Sequence, residues 1–561
     1  MSEQFDLLIR DGTLVDGTGA AAYAGDVGVR DGHIAALGSV RGSARRTIDA
    51  RGMVVAPGFV DIHTHYDAQI FWDRLLTISP WHGVTSVVMG NCGFGIAPTR
   101  AAHRELILKT LENVEGMSLD ALVAGVGDDW PFETFPQYLD TIERRGSAIN
   151  VGAMIGHTPV RLFVMGEEST EREATDDEIA RMRAIVREAL DAGALGFATS
   201  KSPTHVGYAG RPVPSRAATL EEIGTLASCL GDVRRGVMQA TIGRGFFLDE
   251  LAAIQQKISR PVTWTALLAG MLGPDGHKFV LEKTARMQEA GVNVVPQVSC
   301  RPLMVEFQFK APFPFESLSF FQPVSAADRA GKARIYADPD FRRTFRAQGE
   351  GSILAARWKD TTISDAPSEP ALNERNLVDV AKERGVHPVD LALDLALASD
   401  LEARFRMAVT NTDEAIVAEL LQDPTVVLGL SDAGAHASQL CDASFSTHLL
   451  GHWVRDKQAL SLEAAVRLLT SRGADLFGLD GRGRLAAGAI ADIAVFDPDT
   501  VGCSPLRRVN DLPAGADRLI SDATGVHAVV VGGVVIREDG RDSLDSGAAL
   551  PGRLLRGGRQ V

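Results

Sequence analysis

Two histidines one residue apart, His63 and His65, close the apolar run VVAPGFVDIHTH at 54–65. In a strand, residues i and i+2 point to the same side, so both imidazoles face one way where the run ends. Imidazole is a common ligand for Zn, Fe and Ni. A bare His-x-His also occurs as a hydrogen-bonded surface pair. Pro57-Gly58 before this one and Asp67 after it, at the end of a buried run, favour a metal. Asp432, in GLSDAGAH, ends another apolar run near the far end of the chain. A carboxylate there can bind a metal and accept a proton from water on it. Alone it would read as a turn or N-cap aspartate, and its pairing with the histidines reverses that reading. Cys92 follows GVTSVVMG among Gly90, Gly93 and Gly95, which let the backbone approach a ligand closely. Facing a metal it would be a thiolate. Otherwise it is a small buried hydrophobe. Lys201 and His205 in TSKSPTH, His157 in IGHTPVR, and His436 also stand at run ends.

These residues need elements to hold them. Eight apolar runs alternate with helical stretches, at 54–65, 83–93, 148–157, 193–200, 236–243, 261–270, 291–299 and 425–436. Continuous apolar strands alternating with helices predict an α/β fold of the (β/α)8 TIM-barrel type, with both strand faces buried and the site at the C-terminal strand ends. Thr175 and Glu178 form a capping box that starts a helix, and Gly193 stops it. Both ends of the chain read instead as short strands, with Asp-Gly turn signals at Asp11–Gly12, Asp16–Gly17 and Asp31–Gly32. The expected division is therefore 1–57 together with 475–561 as one small β domain, and 58–474 as the barrel. Within the barrel, 301–370 is an insertion near the mouth. Its phenylalanines hint at an apolar part of a substrate. RFRMAVTNTD at 404–413 is a further candidate strand.

Composition narrows the function classes. The 561 residues carry 57 basic against 72 acidic side chains, a net charge of −15, which disfavours general binding to nucleic acid or anionic membranes. Five scattered cysteines read as a reducing compartment. MSEQFDLLIRDG lacks the apolar core of a signal peptide, and no apolar run approaches the ~18 residues of a membrane helix. A soluble, cytoplasmic protein acting on a small molecule is expected. The sequence leaves open whether it forms a homo-oligomer.

PGFVDIHTHYD, the terminal β segments and SDAGAH together resemble the amidohydrolase superfamily. GVTSVVMGNCGFGIAP, GAMIGHTPVR, GALGFATS and GRLAAGAIADIAVFDP are similar to its D-aminoacylase (N-acyl-D-amino-acid deacylase) branch. The resemblance implies a distorted barrel with Zn at its mouth, a composite β domain and hydrolysis of an amide bond. It carries over His63, His65, Cys92 and Asp432 as metal ligands, with Asp432 also relaying the proton. The deacylases have histidine ligands at the ends of the fifth and sixth strands. Here those runs read VMQATIGRG and PVTWTALLAG, with Gln239, Thr241, Thr263 and Trp264 near the expected places, so one metal or two stays open. Related hydantoinase-type enzymes supply a carboxylated lysine from the position of Lys201, which would make Lys201 a carbamate ligand. His157 is the expected substrate-binding residue. A hydantoinase-like hydrolase of cyclic amides and a metal-free relative serving in binding or assembly are the alternatives.

Overall fold

Eight parallel strands, each hydrogen-bonded to the next in sequence, form the central sheet. In order they are Phe59–Asp61, Val84–Met89, Asn150–Gly156, Gly196–Ser200, Val237–Thr241, Val262–Thr265, Val294–Val298 and Val427–Leu428. They coincide with the eight apolar runs, and almost every residue in them is buried. Helices cover the outer face, so the few polar residues of the strands, such as Gln239, Thr263 and Gln297, are buried as well. The first and eighth strands meet beyond their own ends: Thr64 bridges Ala433 in parallel, His65 N donates to Ala433 O at 2.7 Å, and Asp432 N donates to His63 O at 3.1 Å. The fold is a (β/α)8 barrel with an additional β layer. This computed structural model describes residues 3–127, 130–315, 318–349, 355–544 and 549–557. Parts of the expected terminal β segments (1–2, 545–548, 558–561) and of the expected insertion (316–317, 350–354) lie outside the described residues. Among the described residues no helix is long and apolar enough to cross a membrane.

The helix Asp176–Ala192 begins as the capping box requires. Thr175 Oγ1 accepts from Glu178 N, the Glu178 carboxylate accepts from Thr175 N, and Gly193 ends the helix at φ 110°. The two chain ends share one nine-stranded sheet, joined where Val54–Pro57 pairs antiparallel with Ile493–Phe496. Asp31 and Gly32, both at positive φ, make the tight turn between Tyr23–Arg30 and His33–Gly38. Asp11–Gly12 is different. It lies inside the single strand Glu3–Leu14, where the register with the next strand slips, so it is a bulge and not a hairpin.

The segment after the seventh strand builds a body of its own. Its four-stranded sheet combines Leu303–Gln308, Thr361–Asp365, Arg375–Asn376 and Arg404–Thr410, so the 404–413 run is a strand of this layer and not of the barrel. Its core runs on past 370, to Met407. Phe307, Phe309, Phe315, Phe321 and Phe345 are buried against one another in that core. These five phenylalanines therefore stabilise the insertion itself and do not face the mouth.

Candidate metal centre

The end of the first strand, the loop after the second and the loop after the eighth converge. His63, His65 and Cys92 each offer a ligand atom, and these atoms lie within 4.8 Å of one another. Asp432 Oδ1 sits 3.3 Å from His63 Nε2 and 3.7 Å from His65 Nε2. Cys92 Sγ is 3.5 Å from His63 Nε2. Two of the four residues hold left-handed backbone, Cys92 at φ 57° and Asp432 at φ 46°. Non-glycine residues pay about 1–3 kcal/mol for such strain, which concentrates at functional sites. Two of the glycines around Cys92, Gly90 and Gly93, serve packing, whereas Gly95 lines the cavities beside the site. A Cβ on Gly90 would stand 2.2 Å from Met154 O, and one on Gly93 2.8 Å from Thr199 Cα.

Electrostatics favours the ligating forms. Burial would raise the Cys92 thiol, but His63 and His65 outweigh it and bring the group down to about 7. Burial also opposes ionisation of Asp432, and again the imidazoles win, holding the carboxyl well below its usual range. A group of neighbours fixes orientation. His63 Nδ1 donates to Gln297 Oε1 at 2.7 Å, which leaves Nε2 with its lone pair toward the cluster. Gln297 is itself held by a bond from its Nε2 to Thr263 Oγ1. Gln239 Oε1 accepts from Cys92 N at 2.7 Å and fixes the strained loop. Asp61 Oδ1 accepts from His63 N, and burial pushes that carboxyl up to about 7. Gln297 and Asp61 are absent from the sequence reading. The signal for Gln297 is a lone amide in the otherwise apolar run VVPQV.

The other expected site residues lie elsewhere. Lys201 Nζ, half-buried, donates to Arg216 O and Ala218 O, each at 2.7 Å. Two carbonyl acceptors suit an ammonium, whereas a carbamate would set its anionic oxygens against them. The structure does not bring Lys201 into the metal cluster. His157 is fully buried: Nε2 donates to Glu222 Oε1 at 2.9 Å, Nδ1 lies 2.8 Å from Thr199 Oγ1, and Glu222 also pairs with the buried Arg161. It braces the helices behind the strands and has no surface to offer a substrate. His205 Nδ1 bonds Ser200 Oγ, and the ring of His205 lies 5.0 Å from that of Phe94. At the fifth and sixth strands Gln239, Thr241 and Thr265 bond one another. Among the described residues the only cluster of three or more such ligands is the one built on His63.

The amidohydrolase family profile matches residues 46–292 and 336–537, a span that contains all four converging residues. The chain belongs to the amidohydrolase family. This amidohydrolase is 31% identical over 545 residues to the D-aminoacylase of Alcaligenes xylosoxydans xylosoxydans, covering 96% of each chain. It superposes with a TM-score of 0.68 and 28% identity on a D-aminoacylase structure described for its binuclear metal centre, covering 98% of this chain and 100% of that one. A second structure, the N-acyl-D-glutamate deacylase of Bordetella bronchiseptica complexed with zinc and a phosphonate inhibitor, matches at TM-score 0.64 and 26% identity, over 99% and 100% of the chains. The protein is thus an amidohydrolase enzyme with deacylases among its relatives.

Proposed function

We propose that this amidohydrolase cleaves the amide C–N bond of N-acyl amino acids, using a single zinc ion held by His63, His65, Cys92 and Asp432. The observation that carries the reading is the convergence of two imidazoles, a thiol and a carboxylate at one point of the barrel mouth. This donor set fits zinc, which takes nitrogen, sulfur and oxygen ligands together. Zinc bound there supplies Lewis acidity toward water and the substrate carbonyl. The chain's own residues do the rest. Gln297 keeps the His63 Nε2 lone pair pointed inward, and Gln239 keeps Cys92 in place. Asp432, held ionised by the two imidazoles, receives the proton of the attacking water at Oδ2 and delivers it to the leaving nitrogen. A single ion is favoured by the fifth and sixth strand ends, which carry no histidine: Gln239 bonds Cys92 N and Thr265, and Thr241 bonds Thr265. We also propose the division into a terminal β domain (1–57 with 475–561) and a barrel (58–474), with the insertion extending from 301 to about the end of the Arg404–Thr410 strand.

The test uses protein purified without chelator. Elemental analysis should find one zinc per chain. N-acetyl-D-amino acids, chosen because relatives act on the D series, should be hydrolysed, with activity lost to a chelator and restored by zinc. Metal-free protein that turns over these substrates equally well would end the proposal.

A further inference from the structure

Two neighbouring cavities at the barrel mouth share Phe94, Gly95 and Leu111 in their walls. The inner one, narrow and about 290 Å³ with the open solvent at its mouth included, reaches His65 and Gly434, beside the metal cluster. The outer one encloses about 580 Å³, part of it open to solvent, between the helix Arg104–Glu115, the start of the helix His157–Met165 and the loop before Pro214. Its deep walls are apolar: Leu106, Ile107, Leu111, Pro159, Leu162 and Pro214. Its charged groups, Glu167 and Arg211, are exposed at the outer end, where Arg211 also pairs with Glu171 at 3.4 Å. The cleft lies on the side of strands one to four, away from the insertion whose phenylalanines are spent on their own core.

Which half of an N-acyl amino acid fits this cleft follows from where the charge sits. The carboxylate of the amino-acid half is one carbon from the scissile nitrogen. If that half entered, its carboxylate would pass Asp67 in the inner cavity and then Phe94 and Leu111, with no lysine or arginine among the described residues that line it. The acyl half carries no charge beyond the reacting carbonyl. An apolar chain leaving that carbonyl would run past Gly95 into the outer cavity and shed its water shell against leucine, isoleucine and proline side chains.

We propose that the two cavities together are the acyl-binding site, and that the preferred substrates carry an uncharged apolar acyl group longer than acetyl, either aliphatic or arylalkyl. This rests on the hydrolase reading above. Two substrate series assayed with zinc-loaded enzyme test it: D-alanine acylated with acetyl through octanoyl, and N-acetyl derivatives of D-alanine, D-methionine and D-phenylalanine. In the first series kcat/KM should rise about fourfold for each methylene that enters the cleft, until the cavity is filled. Leu162→Trp should fill the cleft and reverse that preference. Leu106→Trp, at a half-buried position that tolerates a larger ring, should do the same if the first variant folds poorly. Hydrolysis that is indifferent to acyl length, or a length preference that both tryptophan variants retain, overturns the cleft assignment and leaves the hydrolase reading standing. A rise confined to the amino-acid series also overturns it. Absence of hydrolysis in both series overturns the hydrolase reading, and this proposal with it.

Discussion

The two halves of the barrel mouth use polar side chains in opposite ways. At strands one, two and eight, His63, His65, Cys92 and Asp432 send their donor atoms to one point. At strands three to six, polar groups pair off locally: His157 with Glu222 and Thr199, Lys201 with two carbonyls, Gln239 with Cys92 N and Thr265. A polar residue at a strand end becomes a ligand only when its lone pair is left facing a shared point. The second half has used its lone pairs and protons on structure. Gln239 and Gln297 link the halves, because each spends an amide oxygen on holding a residue of the first.

That contrast can be broken by mutation. The largest effect is expected for His63→Ala combined with His65→Ala, which should leave a folded barrel without bound transition metal and without activity. Unchanged metal content by elemental analysis would move the centre to another part of the molecule. Asp432→Asn keeps an oxygen donor but loses the proton acceptor, so kcat should fall by about 10²–10⁴-fold. A near-native kcat would show that another group moves the proton. Gln297→Leu removes the partner of His63 Nδ1, together with the bond to Thr263, and zinc affinity measured against a competing chelator should weaken by about 10–100-fold. Equal affinity would mean that His63 orients without help.

The ligand-poor half should answer to acid instead of metal. Burial lowers the folded pKa of His157 below its ordinary 6.5, so the unfolded chain takes up a proton first. Stability from this group is therefore present at neutral pH and is lost as pH falls through about 6.5 and below. Glu222, also lowered, acts in the same direction at more acid pH, with burial opposing the shift and His157 and Arg161 outweighing it. Urea midpoints should drop more steeply between about pH 7.5 and about pH 5.5 in the native enzyme than in His157→Gln. Parallel slopes would clear His157 of that role. The smallest effect is expected at Lys201: Lys201→Ala should keep its zinc and show no rescue by added short carboxylic acids. Loss of metal there, recovered with carboxylate, would bring the carbamate back.

The strands of the barrel are legible in the sequence because burial on both faces turns each into a mostly apolar run. The convergence of His63 with Asp432 is legible through strand parity and through the terminal placement of both runs. Asp11–Gly12 misleads because a bulge and a hairpin turn draw on the same residues for the same left-handed backbone. Lys201 and His157 mislead for another reason. Their positions along the strands are as read, but their side-chain directions are set by distant partners, Arg216 O and Ala218 O for one and Glu222 for the other. The insertion phenylalanines were assigned outward because composition does not report which aromatic rings find each other.

The seam between the first and eighth strands has a consequence for biosynthesis. His63, His65 and Cys92 leave the ribosome early, whereas Asp432 and the Thr64–Ala433 bridge that closes the barrel come hundreds of residues later. The strand Val54–Pro57 pairs early with Glu3–Leu14 but gains its other neighbour, Ile493–Phe496, only late. A nascent chain therefore exposes a thiol and two imidazoles long before it can enclose an ion with them. The proposed four-ligand zinc site is therefore complete only in the finished polypeptide, because Asp432 joins the other three once the ends have met.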